Sequence, residues 1–137
     1  MNNAYQDALN RAKQDAKEIV ESVASFAKAK VINSFDGWTD YINSLESLDL
    51  SDMAHESADS WDTVIYHWSA MQLCIECPSN VLSEAEELYL DCHDKPQGLY
   101  EMASGIAYWI VYQAVQEALQ NEIDGCLELA ESLQENL

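Results

Sequence analysis

The chain of 137 residues carries 25 acidic side chains against 6 basic ones, a net charge of -19 at neutral pH. Hydrophobic residues make up 48% of it, with four Trp and seven Tyr. That content excludes a disordered acidic tail, which lacks the apolar area to offset the entropy of ordering. The length fits one domain with its own core, and the charge excludes nucleic acid and anionic membrane surfaces as direct ligands while favouring cationic partners.

Gly and Pro are scarce, four and two, and apolar residues recur every three or four positions, so the expected fold is all-α: a single-domain bundle of about five helices over residues 1–137. The first helix is predicted from about Asn3 to Ile32. Tyr5, Leu9, Ala12, Ala16, Ile19, Val23 and Phe26 repeat there in fours and threes like heptad positions, on a narrow, Ala-rich stripe suited to close packing. Asn33 to Gly37 interrupts the pattern, and Ser34 or Asp36 is the expected N-cap of a short helix carrying Trp38, Tyr41, Ile42 and Leu45.

A third helix is predicted from Asp49 or Ser51 to Cys77, because Pro78 disfavours helical geometry in the residue before it. At ~100° per residue, Ala54, Ala58, Trp61, Ile65 and Trp68 fall in one sector and Asp52, Glu56 and Asp59 in the opposite one. A fourth helix is expected to open on the capping box Ser83-Glu84-Ala85-Glu86 and to end near Cys92. Asp94-Lys95-Pro96-Gln97-Gly98 is the clearest loop, with Pro96 suited to starting the last helical region. That region reaches almost to Leu137. It is apolar on nearly every side from Leu99 to Leu119, as a central helix is, and Asn121 or Gly125 is expected to divide it from an amphipathic tail. The longest apolar run, Ile106 to Tyr112, falls far short of the ~20 residues that span a bilayer. No apolar leader with a small-residue cleavage site opens the chain, so the expected location is cytoplasmic.

Cys74-Ile75-Glu76-Cys77 followed by Cys92-His93 offers four potential zinc ligands. Adjacent residues on a helix point about 100° apart, however, which speaks against a shared tetrahedron, and free thiols are common inert core residues. A chain without a leader favours thiols over disulfides, and no strand precedes the Cys-x-x-Cys as in thioredoxin-like redox sites. No metal or other cofactor is expected. His55, His67 and His93 lie in no motif supplying a nucleophile and an orienting partner. Gly-rich phosphate loops, nucleophile elbows and calcium loops are absent too, so no enzyme is expected.

Charge distribution is the most informative feature left. Residues 1–30 hold five basic side chains (Arg11, Lys13, Lys17, Lys28, Lys30) and four acidic ones, whereas residues 31–137 hold 21 acids and the single base Lys95, a net of -20. Acids three or four apart on one helix repeat every ~5–6 Å, sparser than the one charge per ~1.7 Å of duplex DNA. Several helices together approach that density. The candidate partner surface is therefore Asp36, Asp40, Glu46, Asp49, Asp52, Glu56, Asp59 and Asp62 with Glu84, Glu86, Glu87 and Asp91.

In size, helical content and charge the chain resembles the small acidic proteins that phages and plasmids encode against host defence, including DNA-mimicking anti-restriction and anti-CRISPR proteins. This is a resemblance to a class of unrelated folds and carries no motif. It implies a non-enzymatic inhibitor that occupies a basic nucleic-acid channel, carboxylates standing in for phosphates. The near-neutral first helix departs from a duplex and would face away or mediate self-association. Three other readings stay open: an immunity protein or antitoxin against a basic nuclease toxin; a homodimeric module whose charge only confers solubility; and a zinc-stabilised adaptor using Cys74, Cys77, Cys92 and His93.

Overall fold

The structure, a computed structural model, describes residues 4–24, 32–61, 67–92 and 98–137. Of these, 88% are helical and none is in a strand. The described residues form six helices: α1 (Ala4–Val23), α2 (Phe35–Glu46), α3 (Leu50–Asp59), α4 (His67–Glu76), α5 (Ser79–Cys92) and α6 (Leu99–Glu135). The 37-residue α6 is the hub. All five other helices pack on it, and α1 also touches α4.

Local hydrogen bonds mark several boundaries. Ser34 caps α2 by accepting the Gly37 N–H at 3.0 Å, and Asp49 caps α3 by accepting the Asp52 N–H at 3.1 Å, each satisfying an orphan amide of a first turn. The helix predicted to run unbroken from Asp49 to Cys77 is interrupted. It stops at Asp59 without Gly or Pro: the Ser60 and Trp61 amides close short bonds to Ser57 and Ala58, and the Ser60 hydroxyl donates to the Ser57 carbonyl at 2.7 Å. The capping box is also corrected. Leu82 N–H donates to the Pro78 carbonyl at 3.0 Å, so α5 opens at Ser79 and Ser83 lies inside it. In α1, helix ends at Val23 and Ile32 is not helical, short of the predicted reach; residues 25–31, including Phe26, lie outside the described residues, as do the expected loop at 94–97 and its Pro96.

The expected break at Asn121 or Gly125 does not occur, for α6 runs through both. Ile123 and Ala130 are buried on either side of Gly125, and their packing outweighs the ~1 kcal/mol a mid-helix glycine costs. The α1 stripe differs in register from the heptad reading. Ala8, Ala12, Ala16 and Val20 are its buried line, every four residues, with Tyr5, Leu9 and Ile19 flanking and Val23 exposed. Alanines here let two helix backbones approach closely, and Ala107, Ala114 and Ala118 of α6 are buried likewise. The line of Ala8, Ala12, Ala16 and Val20 thus faces the inside of its own chain. Among the described residues no helix is long and apolar enough to cross a membrane.

Candidate partner-binding surface

On α3, Ala54, Ser57 and Ala58 are buried while Asp52, Glu56 and Asp59 are exposed, the two groups opposed across the helix as ~100° per residue requires. Of the residues predicted to share the buried sector, Trp61 is fully buried; Ile65 and the Trp68 side chain lie outside the described residues. On α2, Asp36 and Asp40 stand one turn apart, opposite the buried Tyr41, Ile42 and Leu45. On α5, Glu84, Glu87 and Asp91 line the side away from buried Ala85 and Tyr89, with Glu86 on the flank. Glu46 and Asp49 are exposed too, although Asp49 is engaged as a cap. Asp62 lies outside the described residues.

Neutralisation among the described residues is slight. An ion pair among the described residues, Arg11 Nε to Asp15 Oδ2 at 3.8 Å, is on α1, in a cleft that Glu56 of α3 also lines, and none of the carboxylates named on α2, α3 and α5 has a described cationic partner. Asp59 instead sits beside the Tyr108 hydroxyl, one of the charges that help burial push that phenol up to about 12. An uncompensated field of this density favours cationic macromolecules and opposes compaction. Raising NaCl from 20 mM to 500 mM is accordingly expected to increase the thermal midpoint, as counter-ions screen the repulsion; a flat or falling midpoint in a melting series would contradict that.

Sequence reasoning missed a further set. Glu117, Asp124, Glu128, Glu131 and Glu135 are all exposed and fall within a sector of about 60° at ~100° per residue, an acidic ridge running about 27 Å along α6 at 1.5 Å per residue. The 7-4-3-4 spacing was in the sequence, but a helix broken at Asn121 or Gly125 hides it.

Of the titratable groups outside this surface, His55 joins two helices. His55 lies against Tyr112 (centroids 4.4 Å apart) and Trp109 (5.5 Å), with Nδ1 at 2.6 Å from the Tyr108 hydroxyl, and Ser51 reaches the Tyr112 hydroxyl at 3.0 Å. This aromatic layer ties α3 to α6. Side chains of His67 and His93 lie outside the described residues. Cys77 is buried and Cys74 half-buried, whereas Cys92 is exposed at the end of α5. Among the described residues no three His, Cys, Asp or Glu side chains are grouped to hold a metal.

Burial, with smaller contributions from Cys77 and Glu86, pushes the Cys74 thiol up from 9.0 to about 11. A raised folded value means that the folded state holds the proton more tightly, so this stability is complete below pH 9 and is lost as pH rises towards 11. Tyr108, raised from 10.0 to about 12, acts with the same sign one unit higher. Melting curves from pH 8 to 11 are expected to show a falling midpoint, and Cys74→Ala to flatten the fall between pH 9 and 10. At pH 8 a thiol reagent is expected to label Cys92 well before Cys74, because only the thiolate attacks and the half-buried thiol stays protonated.

No family model, curated protein or solved structure matches this chain.

Proposed function

We propose that this protein is a non-enzymatic acidic inhibitor that acts in the cytoplasm by occupying the basic, nucleic-acid-binding surface of a protein or complex, as anti-restriction and anti-CRISPR DNA mimics do. The observation that carries this reading is the exposure of carboxylates on α2, α3, α5 and α6 without described cationic partners. Desolvated Lys and Arg of a DNA channel meet such groups as they meet phosphates, and the long-range field steers the encounter. Competition follows directly, since one channel cannot hold both duplex and protein.

Capture of the partner on the immobilised protein from its native host, at 50 mM salt, tests the reading. The partner is expected to be a nucleic-acid-binding protein released by duplex DNA and by 0.5 M NaCl. Asp52→Lys, Glu56→Lys and Asp59→Lys together are expected to weaken its binding by about tenfold or more while far-ultraviolet circular dichroism stays helical. Binding indifferent to salt, to duplex DNA and to the triple reversal would remove the electrostatic account.

A further inference from the structure

Among the described residues, the C-terminal third of α6 is left half uncovered. Through Ala118, the side of α6 that carries Ala107, Ala114 and Ala118 is buried, and the cleft where Ala114 and Ala118 meet Tyr5, Leu9 and Lys13 marks it as the side next to α1. At ~100° per residue, Gly125 and Ser132 continue that side, and both are exposed; a Cβ placed on Gly125 would meet nothing within 4 Å. One flank of this strip is an apolar ridge, Leu129 at 62% and Leu133 at 42% exposure. The other flank is the acidic ridge, with Glu128 and Glu131 exposed.

A low strip of small residues between an apolar and an acidic ridge is a shape that receives a helix, and it repeats past Ala118 the close packing that α1 makes before it. Residues 98–137 contain no Lys, Arg or His, so two copies meeting through this same face would bring acid against acid. Charge complementarity selects the opposite: a helix whose apolar side chains cover Leu129 and Leu133 and whose Lys or Arg side chains meet Glu128 and Glu131. We infer that the Gly125–Ser132 face of α6 docks a basic amphipathic helix of the protein's partner. This rests on the cationic-partner reading above and assigns it an anchoring face distinct from α3.

A fluorescein-labelled 18-residue peptide of Leu, Lys and Ala, with Leu at helical i, i+3, i+4 and i+7 spacing flanked by Lys, serves as the probe. Its anisotropy titration against the full chain at 50 mM salt is run alongside amide chemical-shift mapping. Saturable binding is expected, with shifts centred on residues 124–133. Leu129→Ser with Leu133→Ser is expected to weaken binding at least about tenfold, Glu128→Gln with Glu131→Gln to weaken it and flatten its salt dependence, and the α3 triple reversal to change it less than about threefold. Both leucines being already exposed, circular dichroism should be unchanged in the first variant. Binding lost in the α3 triple but retained in the leucine pair, with shifts on α3, overturns the docking face and leaves the cationic-partner reading standing. Absence of any binding overturns the docking face as well. Salt-indifferent binding that resists every charge substitution overturns both.

Discussion

Trp61→Ala is expected to cost about 3–5 kcal/mol of folding stability, the usual loss for truncating a fully buried indole. Trp61 heads the largest fully buried side chains, at 1% exposure, and it sits where α3 ends. Its Nε1 donates to Asp15 Oδ2 at 2.9 Å, the Ser57 hydroxyl lies 3.4 Å from the same oxygen, and the Arg11 guanidinium stands 4.2 Å from the ring centroid. Truncation leaves a cavity, strips Asp15 of its best donor and removes the ring under Arg11. Trp61→Phe keeps much of the volume and is expected to lose only about 1–2 kcal/mol, the cost of a half-buried carboxylate deprived of one donor. Urea midpoints of the three proteins decide this; an alanine variant within 1 kcal/mol of the parent would mean that the indole does not join α3 to α1.

Opposite signs are expected at two glycines of the same helix. Gly105→Ala places a Cβ against the ring of Tyr89, with Cδ2 at 2.6 Å, and Tyr89 is 1% exposed and has no room to yield. The overpacking costs about 1–3 kcal/mol, occasionally more, against a propensity gain of about 1 kcal/mol for Ala over Gly. A net loss is expected, larger the more tightly α5 is held. Gly125→Ala meets no atom within 4 Å and keeps the propensity gain, so it is expected to raise stability by about 1 kcal/mol. Chemical denaturation of both variants checks the pair, and equal shifts in one direction would show that Tyr89 does not abut α6 at Gly105.

Why the acidic ridge of α6 escaped sequence reasoning follows from those same glycines. Read alone, Asn121 and Gly125 are poor helix residues and an adequate reason to stop. The structure continues because Leu119, Ile123 and Ala130 all lie on one buried side, an advantage that exists only once α2 is in place beside them; Gln134 reaches across to the Phe35 carbonyl at 3.0 Å and the Thr39 hydroxyl at 2.7 Å. The break after Asp59 was invisible for the converse reason. Nothing in Ser60-Trp61 breaks a helix by propensity, and the chain turns where Trp61 can reach Asp15, 46 residues earlier.

Local chemistry sufficed where the determinant was short-range. Three-and-four spacing decided that the chain is helical, Ser34 was one of two caps the sequence offered for α2, Asp49 one of two starts for α3, and the opposition of Ala54 and Ala58 to Asp52, Glu56 and Asp59 on α3 was legible from periodicity alone, because neighbours on a helix are set by a fixed angle per residue. The excess of carboxylates beyond residue 30 is likewise a property of composition. What tertiary structure alone decided was where helices stop, which side of α1 is buried and which length of α6 is left uncovered. Each of those depends on a side chain distant in sequence filling space or offering a donor, and burial against such a partner outweighs the fraction of a kcal/mol by which one residue prefers helix to another.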